Sequence, residues 1–136
     1  MEDLIGNVNL LAVVIATLLY FFLGALWYSP LLFANEWMKL RNLSEDDIGK
    51  PNPVIFLYSF ILQSIAVLTL ALFLSAMEID TALSGGVIGL GAGAGLVFTL
   101  AGTTGIFSET PLKLHFIDNG YHVIGLTVAG AILGAW

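Results

Sequence analysis

At 136 residues the chain has room for one domain, and 58% hydrophobic against 10% charged residues excludes a water-soluble surface, since soluble domains carry about 25% charged residues. The four basic residues, Lys39, Arg41, Lys50 and Lys113, against a formal net charge of −6, exclude a basic face suited to nucleic acid. With no cysteine, disulfides, thiolate metal sites and thiol nucleophiles are excluded as well.

A hydrocarbon layer about 30 Å thick needs roughly 20 apolar residues in helix, because each residue adds about 1.5 Å and lipid offers no partner to an unpaired amide. Four stretches are long enough, residues 8–28, 54–76, 83–107 and 112–135. Ahead of the first, Met1 to Asn9 carries Glu2 and Asp3 and no basic residue, which argues against a signal peptide. At its far end Trp27 and Tyr28 fall where an aromatic belt lies and are expected as interfacial anchors, and Pro30 stops the helix. Leu31 to Arg41 then sets Leu32, Phe33, Trp37 and Leu40 among polar residues, the pattern of a short interfacial helix with Trp37 as a further anchor. Ser44 with Asp47 three residues on reads as a capping box, and Asn52 before Pro53 as an N-cap followed by proline at the first helical position. The expectation is an all-α polytopic membrane protein, one integral membrane domain over 1–136, with four transmembrane helices in one bundle and a short interfacial helix between the first two. All four basic residues fall after span one or after span three, so the positive-inside rule places loops 30–52 and 108–111 in the cytoplasm and both termini outside.

The third span carries Gly85, Gly86, Gly89, Gly91, Gly93, Gly95, Gly102 and Gly105. Lipid does not reward a smooth helix, but a neighbouring helix does, because missing side chains let backbones approach. At about 100° per residue, Gly85, Gly89, Gly93, Thr99 and Thr103 share one face while Gly91, Gly95 and Gly102 share another, so this span is expected to pack on two sides. That fits a central helix within the monomer, or one face given over to a homo-oligomer, and Gly130 and Gly134 on the last span fit either arrangement.

Thr110 and Pro111 have the chemistry of a helix start, and no breaker follows before Gly120. A helix from Pro111 to the end is about 39 Å long and carries Asp118 about 10 Å and His122 about 16 Å along its axis. Asp118, His122, Gly125 and Ala129 share a face, which an ionisable residue turns toward protein or a water-filled cavity. Ser59 and Gln63 on span two and Thr99, Thr103 and Thr104 on span three fall at the same depth. With Asn119 they outline a polar vestibule open to the cytoplasm. The alternative is that Asp118 faces headgroup water at its own helix start, with Asn119 capping a shorter helix.

His115 and His122 stand seven residues, roughly 10 Å, apart along a helix, too far to share an ion bound at about 2 Å. Only Asp118 and His122 could chelate together, and two ligands make no metal site; a direct Asp118 to His122 hydrogen bond or ion pair is the expectation. No phosphate loop, H-E-x-x-H or nucleophile elbow is present in the sequence. Neither a metal nor a cofactor is expected.

The string GALWYSPLLF from Gly24 to Phe33, Trp37, the L-S-E-D-D-I turn from Leu43, P-L-K-L and D-N-G-Y-H between Pro111 and His122, and the closing GAILGAW resemble one family. It is the group of small bacterial membrane proteins called domain of unknown function 1761, and the likeness spans nearly the whole chain. The resemblance implies a compact four-helix protein of the bacterial cytoplasmic membrane, with no activity or catalytic residue to carry over. Three readings of function stand together. One is a non-enzymatic protein whose partners, besides the lipid bilayer, are further copies or the subunits of a larger membrane complex. Another is a small-solute or proton-coupled transporter working through Asp118, His122, Gln63 and Thr103, and the last is an interfacial lipid-modifying enzyme using His115 or His122.

Overall fold

The computed structural model describes residues 6–49 and 52–136; Glu2, Asp3 and Lys50, which enter the charge pattern above, lie outside the described residues. Among those described there is helix and no strand. Helix α1, Leu10–Trp27, starts where the Asn9 side chain accepts from the amides of Leu11 and Ala12. Helix α2, Ala34–Leu40, is a short segment after the Tyr28 to Phe33 turn, and α3, Glu45–Ile48, is a single turn closed by the Ser44 and Asp47 capping box. Helix α4, Pro53–Ala76, begins with proline in its first turn and Asn52 accepting from Val54 N. Helix α5 runs over Ala82–Phe107 and α6 over Leu112–Ala135. With α1 and α4, these make four helices long and apolar enough to cross a membrane.

The middle of α5, Gly91–Phe98, is wound as a π-helix, a wider coil that is rare in runs of this length. Its first five residues are Gly and Ala only, so the wider turn meets little steric opposition.

Packing corrects one expectation: the central helix is α6, not α5. Helix α6 packs against α1, α4 and α5 and is touched by α2, whereas α5 leans almost wholly on α6. The α5 side of that contact is the Gly85, Gly89 and Gly93 stripe, as the spacing predicts. An added Cβ at Gly85 would lie 2.1 Å from the Gly130 carbonyl oxygen, and one at Gly89 2.1 Å from that of Leu126. Gly130 and Gly134 return the contact, meeting the backbone of Gly85 and Thr81. The expected second packing face is filled only at Gly102, where an added Cβ would meet the His115 ring at 3.3 Å; among the described residues nothing lies within 4 Å of a Cβ built on Gly91 or Gly95.

The buried core joins Val13, Ala16 and Tyr20 of α1, Val67, Leu70, Ala71 and Leu74 of α4, and Tyr121, Leu126 and Ala129 of α6. The outward faces carry leucine, isoleucine and phenylalanine, among them Leu10, Phe22, Ile55, Leu62, Leu83 and Leu100, all more than half exposed. A surface of that kind suits acyl chains and would aggregate in water.

Candidate functional site

The half of the molecule nearest α2 holds the polar groups, and α6 organises them. Asp118 and His122 stand one turn apart on its α1-facing side, where Gly125 admits the ring of Tyr20: a Cβ there would meet Tyr20 Cε2 at 2.1 Å. The expected direct bond between Asp118 and His122 does not form. Asp118 Oδ1 accepts from the Tyr28 hydroxyl and from Trp37 Nε1, each at 2.9 Å. His122 Nδ1 instead pairs with the Tyr20 hydroxyl at 2.6 Å, the ring tautomer deciding which donates. The two groups are instead held by tyrosine hydroxyls, His122 by Tyr20 of α1 and Asp118 by Tyr28 just past the end of that helix.

The three rings expected at the lipid boundary direct their polar atoms at α6. Beyond the two bonds to Asp118, Trp27 Nε1 donates to the Ile117 carbonyl at 2.8 Å. Tyr121 completes the group. Gln63 Nε2 donates to its hydroxyl at 2.5 Å, and that hydroxyl donates to the Tyr20 carbonyl at 3.3 Å. Tyr20, Trp27 and Tyr28 all lie with their ring centroids within 6.5 Å of the Tyr121 ring. Tyr20 and Tyr121 were not legible as site residues from periodicity. The available signal was depth, since a tyrosine ten residues into an apolar span carries a hydroxyl that needs a partner where no water reaches.

Gln63 and Ser59 line a cavity of about 450 Å³ between α1 and α4, together with Phe21, Phe56, Tyr28 and Tyr121. The carbonyl oxygen of Gln63 is buried there with no hydrogen-bond partner among the described residues. The threonines lie elsewhere. Thr99, Thr103 and Thr104 are exposed on α5, and each hydroxyl donates back to a carbonyl of its own helix, Gly95, Thr99 and Leu100 respectively. The single vestibule drawn from the sequence therefore divides, because α6 stands between its parts: Asp118, His122, Gln63 and Ser59 face α1 and α4, while α5 packs on another side. Asn119 does not cap a shorter helix. It donates to His115 Nδ1 at 2.9 Å and to the His115 carbonyl at 3.1 Å.

His115 is buried beside α5, its ring edge-on to Phe98 at 4.3 Å and under Gly102. The two histidines thus turn to different neighbours. Among the described residues no group of three His, Cys, Asp or Glu is close enough to hold a metal ion.

Past His122 toward the chain ends the core is apolar, formed by Ala16, Val67, Leu70, Leu126 and Ala129. At the opposite end, Lys113 on the first turn of α6 donates to Glu36 on α2 at 2.7 Å. That bond holds the Glu36 carboxyl below the usual glutamate range. The arrangement can hold a neutral hydrogen-bonding group beside Gln63 and fasten α2 across the end of α6.

A family model described as "Protein of unknown function (DUF1761)" matches residues 11–134. No curated protein and no solved structure matches the chain.

Proposed function

The chain belongs to the DUF1761 family, and on that premise we propose that it is a non-enzymatic multi-pass protein of a bacterial cytoplasmic membrane that works by associating with further copies of itself or with a larger membrane complex. The observation that carries this reading is the open glycine face of α5. Glycine in a helix costs about 1 kcal/mol relative to alanine. At Gly85, Gly89 and Gly93 that cost is offset by close contact with α6, whereas Gly91 and Gly95 meet nothing among the described residues. A face stripped of side chains and turned to lipid is suited to the backbone of another helix. Lys39, Arg41 and Lys113 belong to the end carrying α2, so that end faces the cytoplasm and both termini lie outside.

The test uses the cysteine-free background. Gly95→Cys should give an intermolecular disulfide in native membranes under mild oxidation, and Gly95→Leu should abolish association while the monomer stays folded. A product that is monomer only contradicts the reading.

A second reading, small-solute or proton-coupled transport, is favoured by one observation, the unpartnered Gln63 carbonyl in the wall of the α1 and α4 cavity. Transport would require the apolar core beyond His122 to open. Asp118→Asn separates the two: a transporter loses pH-dependent flux, while an assembly subunit is indifferent. An enzyme acting on lipid headgroups draws no support, since His115 is covered by α5 and His122 is held by Tyr20.

A further inference from the structure

We propose that the crevice between α5 and α6 seats one phospholipid with a zwitterionic amine headgroup, of the phosphoethanolamine type. The crevice exists because the two helices splay. At Gly85 and Gly89 an added Cβ would strike α6 backbone, at Gly93 it would lie 2.7 Å from Val123 Cα, and at Gly102 it would meet only the His115 side chain at 3.3 Å. Beyond the glycine contact the gap opens to about 770 Å³, within the range of sites that hold a small ligand (about 300–1,000 Å³). Its wall is apolar, with Trp27, Phe33, Phe98, Phe116, Val123 and Ile124. The Trp27 ring is fixed by its bond to the Ile117 carbonyl, which makes that wall rigid.

In a bilayer such a gap holds an acyl chain, because an apolar cleft open to lipid is stable neither as a void nor filled with water. The charges at its end turn lipid contact into a selective seat. Glu36 and Lys113 both line the crevice and stand 2.7 Å apart, where α6 begins and α2 crosses. A phosphate suits Lys113, and a primary ammonium suits Glu36 as a hydrogen-bond donor. A phosphocholine head has no such donor, and a phosphoglycerol head offers Glu36 only neutral hydroxyls, with no ammonium to balance its carboxylate. The proposal does not depend on whether copies of the chain associate.

The experiment is native mass spectrometry of the purified protein titrated with phosphatidylethanolamine, phosphatidylcholine and phosphatidylglycerol of identical acyl chains. Wild type should retain the ethanolamine lipid about tenfold better than the other two, the equivalent of about 1.4 kcal/mol for one charge-assisted contact. Glu36→Gln should erase that preference while keeping lipid bound, and Lys113→Gln should weaken all three lipids. Ala94→Trp, which fills the crevice from an exposed position of α5, should exclude all of them with helical content unchanged by circular dichroism. Equal retention of the three lipids by wild type, or an ethanolamine preference that survives Glu36→Gln, overturns the proposal.

Discussion

The two halves of α6 are held by different means. Toward the chain ends, Gly130 and Gly134 lie directly against the backbone of Gly85 and Thr81. Toward α2, the same helix is held by Asp118, His122 and the Ile117 carbonyl, each bonded to an aromatic side chain of α1 or α2. Lipid tails are as apolar as leucine, so burial of apolar surface drives no association between helices in a bilayer. Close van der Waals contact and interhelical hydrogen bonds are what remain. The glycine contact leaves no room for change, whereas the polar half joins its helices through side chains that leave cavities between them.

The sharpest way to break the comparison is to add bulk on each face of α5. Gly89→Leu must push α5 away from the Leu126 carbonyl and should cost on the order of 3 kcal/mol, by overpacking against backbone that cannot give. Gly95→Leu, with open space around it, should leave monomer stability within about 0.5 kcal/mol. Reversible unfolding in mixed micelles reads both, and equal costs would erase the distinction between the faces.

Next in size is the polar half. Asp118→Ala leaves the Tyr28 hydroxyl and the Trp37 indole without their acceptor and should cost about 1–3 kcal/mol. Hydrogen exchange over 34–40 should accelerate as α2 loses its tie, while Asp118→Asn, which keeps an acceptor, should stay near wild type. Unchanged exchange in Asp118→Ala would mean that α2 is held by other contacts. Tyr20→Phe removes one bond to His122 and should cost about 0.6 kcal/mol, and no more than about 1.7, in the same unfolding assay, the average and the largest value for interhelical hydrogen bonds in membranes.

The smallest effect belongs to the exposed Glu36 and Lys113 pair. Because the folded Glu36 value is lowered from 4.5, first by the Lys113 hydrogen bond, the pair persists at neutral pH. Its contribution is lost only as pH falls through the lowered folded value. Carbon-detected NMR titration of the Glu36 carboxyl should show a midpoint below the ordinary glutamate value, and Lys113→Gln should raise it. A Glu36 midpoint unmoved by Lys113→Gln would remove the ion pair from the account.

Local chemistry made two helix starts legible, because the Ser44 side chain caps the amide of Asp47 and the Asn52 side chain that of Val54, and such bonds need only neighbours in sequence. The Gly85, Gly89 and Gly93 stripe was legible for the same reason, since a helix face is fixed by spacing. Which helix occupies the centre was not legible. Glycine spacing says that a face packs closely and leaves its partner unnamed, and α6 takes the central place because Gly125 admits Tyr20 of α1 on one face while Gly130 meets Gly85 of α5 on another. The Asp118 and His122 depth was readable from α6 alone. Their partners were not, because Tyr20, Tyr28 and Trp37 lie more than 80 residues away in sequence and only tertiary packing brings them near.

The central claim, that α5 lays its glycine stripe on α6 and leaves the opposite face open, is tested most directly by a pair of cysteines. A Cβ built on Gly86 lies 3.5 Å from Ala131 Cβ, at the short end of the separation a disulfide requires (about 3.5–4.5 Å). Gly86→Cys with Ala131→Cys should close an intramolecular disulfide quantitatively in native membranes under mild oxidation, visible as a mobility shift that reductant reverses. Free thiols at both positions after oxidation, or disulfides only between chains, would contradict it.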